Sequence, residues 1–110
     1  MHELSLAGEI KDLIDEKRGG STVQSTTIEV GALSGVVPDA FNFCIDTVLK
    51  EAFGDKININ VIYQQGEALC TCGKIYPVDD LFKPCPFCNG YNRKIKKGAE
   101  IFLKTIEIDN

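Results

Sequence analysis

Cys70-Thr71-Cys72 and Cys85-Pro86-Phe87-Cys88 are the two segments that decide how this chain of 110 residues folds. They place four of its five cysteines within nineteen residues. Two close pairs of cysteines separated by a dozen residues can bring four sulfurs to one ion, each about 2.3 Å from a zinc. The spacing therefore predicts a single tetrahedral thiolate metal site.

The first pair is unusually tight, because only Thr71 separates its cysteines. An extended backbone would hold the two side chains about 6.6 Å apart, whereas tetrahedral coordination needs sulfurs about 3.8 Å apart. The chain must turn sharply here, and we expect Gly73 to permit that turn. If Cys70 does not reach the ion, Asp79, Asp80 or water is the alternative ligand.

The cysteines lie in a segment, residues 65–98, that is too short to build a core of its own. Isolated domains usually need at least roughly 40 residues. Zinc held by four thiolates supplies on the order of 10–16 kcal/mol in small modules, which is enough to order such a segment. A closed shell of four sulfurs leaves no position for water or substrate, so we expect Cys70, Cys72, Cys85 and Cys88 to hold a structural Zn²⁺.

Two amphipathic helices are predicted outside this segment. Apolar residues recur at helical spacing over residues 6–14, and the run stops at Gly19-Gly20. A second apolar stripe follows Pro38, a residue suited to a first helical turn, and it closes at Gly54. Cys44 falls on that stripe, and we interpret it as a buried, inert cysteine.

Three strands complete the pattern. Residues 22–31, 56–63 and 100–108 are β-prone, and the second of these runs alternates most cleanly between apolar and polar side chains. The sequence therefore predicts an α+β fold in which two helices pack on a small three-stranded sheet, with an inserted zinc-ribbon-like metal domain. The predicted domain boundaries are 1–64 with 99–110 for the α+β domain, and 65–98 for the insert.

Charge is divided unevenly along the chain. The net charge is −4, but residues 70–98 carry +4 before any thiolate is counted, which leaves −8 on the remainder. The acidic remainder disfavours a nucleic-acid partner. No run approaches the roughly 18 apolar residues of a membrane span, and the first residues lack the pattern of a signal peptide. We therefore expect a cytoplasmic protein, whose closely spaced cysteines bind metal rather than form disulfides.

The N-terminus forms a second candidate metal site. His2, the only histidine, follows the terminal amine of Met1 and precedes Glu3. The amine, the His2 backbone nitrogen and the imidazole can close adjacent chelate rings, and such nitrogen-rich donor sets suit Ni(II) or Cu(II) more than zinc. Glu3 could add its backbone nitrogen or its carboxylate. Taken alone, a histidine at position 2 is more often a solvated residue at a chain end.

A family resemblance favours the interpretation of His2 as a nickel ligand over that of a solvated residue at a chain end. Met1-His2-Glu3-Leu4-Ser5, the run Glu29-Val30-Gly31-Ala32-Leu33-Ser34-Gly35-Val36 and the two cysteine pairs resemble, in order and spacing, the HypA/HybF family of nickel metallochaperones. The family usually has two residues inside the first cysteine pair, where this chain has one.

The resemblance implies a function as well as a site. Met1, His2 and Glu3 would bind Ni²⁺ as transferable cargo, and the four cysteines would hold structural zinc. The protein would deliver nickel to a [NiFe]-hydrogenase large-subunit precursor together with a nickel-handling GTPase, and urease maturation proteins are further candidate partners. We expect no enzyme activity, because the sequence offers neither a nucleophile–base pair nor a phosphate-binding glycine loop.

Two other functions fit parts of the sequence. Cys85-Pro86-Phe87-Cys88-Asn89-Gly90 also resembles half of a rubredoxin-type iron site, which would make the chain an electron-transfer module. Basic residues near Tyr91 suggest a zinc-ribbon nucleic-acid binder, although the acidic remainder argues against that partner. For the same basic residues we favour a solvated hairpin face or a docking surface for a protein partner.

Overall fold

The structure, a computed structural model, describes residues 3–109. Two helices and six strands follow one another in these residues. Their bounds are α1 Glu3–Arg18, β1 Thr22–Gly31, α2 Pro38–Phe53, β2 Asn58–Gln64, β3 Gly66–Cys70, β4 Ile75–Val78, β5 Arg93–Lys97 and β6 Ile101–Asp109.

The helix α1 is amphipathic and ends at Arg18, immediately before two glycines. Ala7, Ile10 and Ile14 are its buried residues, spaced three and four apart on one face. Gly19 and Gly20 follow with φ of 57° and 85°, the left-handed region that glycine enters without a steric cost. The predicted glycine stop is therefore where the helix ends.

The helix α2 carries the more apolar face. It begins at Pro38 and buries Phe41, Ile45 and Leu49, which are almost completely removed from solvent. Gly54 caps its end, with φ of 100° and its N–H donated to the Lys50 carbonyl at 2.9 Å.

The strands form two three-stranded sheets. The first has the order β2-β1-β6, and the second has the order β4-β3-β5 with both pairings antiparallel. The predicted α+β fold class, with two helices and a small three-stranded sheet, is confirmed. The second sheet was not anticipated from the sequence, because β4 and β5 have four and five residues and little hydrophobic alternation.

The chain divides into two compact units. The helical unit comprises residues 3–29, 36–62 and 102–109, and the cysteine unit comprises residues 30–35 and 63–101. The short segment 30–35 belongs to the cysteine unit, since its backbone N–H groups at 31, 32 and 33 donate to carbonyls of Glu100, Gln64 and Gly98.

The two units have different cores. Nine apolar side chains are buried in the helical unit: Ala7, Ile10, Ile14, Val23, Ile28, Phe41, Ile45, Leu49 and Ile57. The cysteine unit buries six: Val30 and a cluster of five, Ala68, Cys70, Tyr76, Val78 and Cys85. Two of those five are proposed metal ligands, so ordinary apolar packing is scarce there.

Three glycines allow backbones to meet inside the cysteine unit. A Cβ on Gly98 would lie 2.5 Å from the Gly66 Cα, and a Cβ on Gly31 would lie 2.2 Å from the Gly98 carbonyl oxygen. Gly98 also has φ of 91°. Any larger side chain at position 98 would therefore clash with the neighbouring backbone and strain its own.

Neither of the described helices is long and apolar enough to span a membrane.

Candidate metal centre

A sharp turn brings the first two cysteines together. Cys70 ends β3, its N–H donates to the Lys74 carbonyl at 2.9 Å, and its own carbonyl accepts the Gly73 N–H at 2.9 Å. Gly73 has φ of 91°, a conformation that side chains with a Cβ rarely adopt. This glycine therefore makes the reversal possible with only Thr71 between the ligands.

The second pair lies on a hydrogen-bonded knuckle. The Cys85 N–H donates to the Gly90 carbonyl at 2.8 Å, and the Asn89 N–H donates to the Cys85 carbonyl at 2.8 Å. The Phe87 N–H points at the Cys85 Sγ at 3.4 Å. Backbone donors directed at sulfur stabilise the thiolate form, which is the form that binds metal.

The four sulfurs converge. Cys70, Cys72, Cys85 and Cys88 each offer Sγ, and all four atoms lie within 4.8 Å of one another. The Sγ atoms of Cys70 and Cys88 are 3.4 Å apart, and those of Cys72 and Cys85 are 3.9 Å apart. These separations lie on either side of the roughly 3.8 Å expected around a tetrahedral zinc. Cys70 thus lies with the other three despite the one-residue spacing.

The alternative oxygen ligands have other contacts. The Asp80 Oδ1 accepts the Phe82 N–H at 2.8 Å, and the Asp79 carboxylate lies 3.7 Å from the Lys83 Nζ. Neither aspartate belongs to the metal-ligating group found among residues 3–109. The arrangement therefore favours four sulfurs over a mixed sulfur and oxygen donor set.

The thiols perturb one another. The Cys72 N–H donated to the Cys70 sulfur, together with hydrogen bonds from the surrounding thiols, lowers the pKa of Cys70 to about 6 against the opposing effect of burial. A hydrogen bond from the Gly90 N–H lowers the pKa of the Cys88 thiol. The hydrogen bond between the Cys88 and Cys70 sulfurs, together with burial, has the larger and opposite effect, and raises the pKa of Cys88 to about 12. One sulfur thus loses its proton easily while another retains it, and binding of a divalent cation displaces the retained protons.

The donor set fits zinc. Zn²⁺ or a single iron ion binds well to four soft, polarisable thiolates in a tetrahedral arrangement, whereas hard cations bind to such ligands poorly. Cys70 and Cys85 are buried whereas Cys72 and Cys88 are exposed, so the group is open to solvent on one side. These four residues would hold the ion, and the ion would supply cross-links between the two turns.

Comparison with known proteins identifies the family. A sequence model described as "Hydrogenase/urease nickel incorporation, metallochaperone, hypA" matches residues 1–108. The chain belongs to the HypA family. Its relatives include the hydrogenase maturation factor HypA of Parabacteroides distasonis, 41% identical over 98% of this chain and 97% of that protein. The HypA of Geobacter metallireducens is 34% identical over 99% of this chain and the whole of that protein.

Solved structures agree on the fold. The solution structure of the Ni metallochaperone HypA from Helicobacter pylori has a TM-score of 0.66, covers 98% of this chain and 97% of that one, and is 20% identical. A second solution structure of a HypA protein has a TM-score of 0.65 at 21% identity, over 98% of this chain and 96% of that one. The family model and the two sequence relatives, rather than these structures, confirm the resemblance at the level of the family.

The predicted nickel ligands of this HypA family member are only partly within the described residues. Met1 and His2 lie outside them. Glu3 is the first residue of α1, and its Oε2 accepts the backbone N–H of Val37 at 3.1 Å. Val37 is the residue immediately before α2, so the Glu3 carboxylate joins the beginnings of the two helices.

One structural role was missed by the sequence reasoning. Arg93, one of the basic residues near Tyr91 that suggested a nucleic-acid binder, donates through its guanidinium to the carbonyls of Lys83 and Leu81. A single basic residue beside a knuckle carries no sequence signal for such a contact, because the acceptors are main-chain atoms ten and twelve residues away.

Proposed function

We propose that this chain binds Ni(II) at its N-terminus and delivers it to the precursor of a [NiFe]-hydrogenase large subunit. The observation that carries the proposal is the match of residues 1–108 to a family described as nickel-incorporation metallochaperones. The ligands are the Met1 amine, the His2 imidazole and backbone, and Glu3. The protein acts as a carrier and not as an enzyme.

The thiolate group supports a separate site for the cargo. Four sulfurs that close around one ion leave no vacant position for exchange with a partner, so that ion is retained as structural zinc. Nitrogen donors at the beginning of the chain suit nickel better than thiolates arranged for zinc. The chain therefore has a resident ion and a transferable one, held by chemically different atoms.

The hydrogen bond of the Glu3 carboxylate supports the proposal that Glu3 binds nickel through its backbone nitrogen. Its carboxylate accepts the exposed Val37 N–H at 3.1 Å, so the side chain already has a structural contact. The Glu3 backbone nitrogen adds to the donor set without breaking this contact. In this arrangement the side chain positions the start of α1 while the main chain serves the metal.

The cellular setting follows from the same function. The carrier acts in the cytoplasm with a nickel-handling GTPase and the hydrogenase precursor, and urease maturation proteins are further recipients. The proposed nickel-binding domain, residues 1–64 and 99–110, and the proposed zinc-binding insert, residues 65–98, differ from the two compact units only at residues 30–35, 63–64 and 99–101, which belong to the cysteine unit. Neither nucleic acid nor a membrane takes part.

The test compares untagged protein with protein carrying extra residues before Met1. Blocking the amine, or replacing it by an internal peptide bond, removes one nitrogen donor, so nickel affinity should fall by at least about tenfold, or about 1.4 kcal/mol. His2→Ala should do the same, and calorimetry with Ni(II) measures both. Glu9→Gln, at an exposed position of the same helix, is the control that should bind nickel normally.

Metal analysis completes the experiment. All these variants should retain one zinc per chain and remain colourless, whereas iron in four thiolates would absorb visible light. Nickel affinity that is the same for tagged, His2→Ala and untagged protein would show that the N-terminal ligand set is wrong.

A further inference from the structure

The four sulfurs of the metal centre make two close contacts between the turn of the first cysteine pair and the knuckle of the second. The Cys70 Sγ lies 3.4 Å from the Cys88 Sγ, and the Cys72 Sγ lies 3.9 Å from the Cys85 Sγ. A disulfide bond is about 2.05 Å long, so a closure of less than about 2 Å would join the two sulfurs of each contact.

Each contact combines a sulfur open to solvent with one removed from it. Cys72 and Cys88 are exposed, whereas Cys70 and Cys85 are 3% and 1% exposed. Oxidation of cysteine follows thiolate character and exposure, so an oxidant in solution reaches Cys88 of one contact and Cys72 of the other. The buried cysteine of each contact then lies close enough to attack the oxidised sulfur.

The chemistry needs one two-electron oxidant for each contact, and hydrogen peroxide is such an oxidant. The exposed thiolate attacks one peroxide oxygen, the O–O bond breaks, and the products are a sulfenic acid and hydroxide. The buried thiolate attacks the sulfenic sulfur, the S–S bond forms, and a second hydroxide leaves. For both contacts, four thiolates, two molecules of peroxide and four protons give two disulfides and four molecules of water.

The two disulfides would replace the cross-link that zinc supplies. A metal ligand must be a thiolate, so a sulfur in a disulfide releases the ion. The bonds would close loops of residues 70–88 and 72–85, and such closure stabilises a fold by restricting the unfolded chain. They would connect the same two turns that the ion connects. The cysteine unit would therefore lose zinc without losing its fold.

The exchange also changes the charge of the cysteine unit. Its six basic and four acidic side chains give +2. Four thiolates with Zn²⁺ add −2 and make the loaded unit neutral, whereas two disulfides add no charge and leave the unit at +2. Oxidation would thus turn a neutral unit into a basic one and raise its attraction for acidic partners.

We propose that the four-cysteine group is a reversible site of modification by peroxide, in which Cys70 pairs with Cys88 and Cys72 pairs with Cys85 as zinc is released. Four cysteines allow three pairings, and the sulfur contacts select this one. A dithiol reductant, itself oxidised to a disulfide, returns the four thiols, and zinc then displaces their protons. The modification involves none of the proposed nickel ligands.

The experiment treats the full, zinc-loaded chain with excess hydrogen peroxide and measures free zinc with a chromogenic indicator. One zinc per chain should be released, and the oxidised chain should be lighter than the reduced, zinc-free chain by four hydrogen atoms. Only Cys44 should then react with an alkylating reagent. Zinc analysis distinguishes this product from the loaded protein, in which the metal protects the same four sulfurs. Dithiothreitol with added zinc should restore the loaded protein.

Trypsin distinguishes the pairings. It releases the peptides 57–74 and 75–93, because Lys83 precedes a proline and is not cut, and each peptide carries two neighbouring cysteines. The proposed disulfides join the two peptides, whereas disulfides within the turns leave them separate. Electron-transfer fragmentation of the joined species should give the proposed pairing.

Dimedone, which traps sulfenic acids, tests the order of attack. When peroxide is limiting, the adduct should form on Cys72 and Cys88. Adducts on Cys70 or Cys85 would contradict the assignment of exposed and buried partners.

The same samples report fold and charge. All three tyrosines lie in the cysteine unit, and the oxidised protein should keep the tyrosine fluorescence that chelation under reducing conditions removes. Native electrophoresis should show that the oxidised chain has two fewer negative charges than the loaded one. Cys44→Ser is the matched control, because its thiol lies outside the group, and it should release zinc at the wild-type rate.

Four results would overturn the proposal. These are zinc retained in excess peroxide, zinc released while the two peptides stay separate, sulfinic acids in place of disulfides, and tyrosine signals lost on oxidation. His2→Ala should release zinc and form the disulfides like the wild type. A failure of this proposal therefore leaves the nickel proposal intact, and the reverse also holds.

Discussion

The helical unit and the cysteine unit differ in how far apolar packing can stabilise them. The helical unit buries nine apolar side chains, including Phe41, Ile45 and Leu49 of α2. The cysteine unit buries six, and Cys70 and Cys85 are two of them. Each fully buried large apolar side chain contributes about 1.5–3 kcal/mol. Apolar packing alone therefore serves the first unit well and the second poorly.

The difference shows what a metal site can replace in a fold. Where packing is scarce, the cysteine unit concentrates backbone hydrogen bonds and close glycine contacts around a group of four sulfurs. An ion bound there cross-links two turns that are distant in sequence. We therefore expect the two units to respond to different perturbations.

Spectroscopy can follow the two units separately. Both described helices lie in the helical unit, so circular dichroism at 222 nm reports mainly on that unit. Tyr63, Tyr76 and Tyr91 are all in the cysteine unit, and the chain has no tryptophan, so tyrosine fluorescence and near-ultraviolet dichroism report on that unit.

Removal of zinc should have the largest effect. A strong chelator withdraws a binding free energy on the order of 10–16 kcal/mol from the cysteine unit, which exceeds what its small core can replace. The tyrosine signals should change to those of an unfolded chain, while most of the 222 nm signal remains. Cys85→Ser should reproduce this result without a chelator, and Cys44→Ser should retain zinc and both signals.

Simultaneous loss of both signals on chelation would contradict the separation of the two units. Retention of the tyrosine signals by fully zinc-free protein would show that the metal does not support the cysteine unit.

Truncation of the helical core should have the next largest effect. Phe41→Ala removes a fully buried aromatic ring, and such changes cost about 3–5 kcal/mol of the free energy of unfolding. Urea denaturation followed at 222 nm measures this loss, and zinc content should stay at one ion per chain. Phe43→Ala, two residues along the same helix but exposed, should stay within about 0.5 kcal/mol of the wild type. Equal costs at the two positions would contradict the assigned helix face.

A smaller effect is expected from Gly98→Ala. The φ of 91° alone costs on the order of 1–3 kcal/mol for a residue with a Cβ, and the approach to Gly66 adds to this. Because metal binding and folding of the cysteine unit are coupled, the φ strain alone should lower zinc affinity about 5- to 150-fold, and the close approach to Gly66 should lower it further, measured by competition with a coloured chelator. Gly8→Ala is the control, since a Cβ there meets no atom within 4 Å and alanine favours the helix. Unchanged zinc affinity in Gly98→Ala would contradict the coupling.

The sequence predicted those features whose cause is local. The two helices and their ends were predictable because apolar periodicity, Pro38 at a first turn, and Gly54 at an end act within a few residues. The convergence of four sulfurs followed from the spacing of the cysteines and the glycine at position 73. The nickel ligands Met1, His2 and Glu3 remain a prediction.

Features with distant causes could not be predicted. The strands β4 and β5 are short, and β5 is four-fifths basic, so their pairing with β3 depends on partners that only the folded chain brings close. The main-chain contacts of Arg93 and the Glu3 contact to Val37 join residues that are 10 to 34 positions apart. Such contacts leave no periodic trace in a sequence.

Cys44 gives the chain an internal reference for chemical reactivity. Cys44 was interpreted from the sequence as buried and inert, but it is only half-buried on α2, in the unit that does not hold the four-sulfur group. Thiolates coordinated to a metal react slowly with alkylating reagents, whereas a free thiol retains its ordinary nucleophilicity. One readily labelled thiol per molecule would therefore indicate that the four-sulfur group holds a metal ion, and five would indicate that it holds none. Mass spectrometry after alkylation would then give the fraction of molecules that hold the ion.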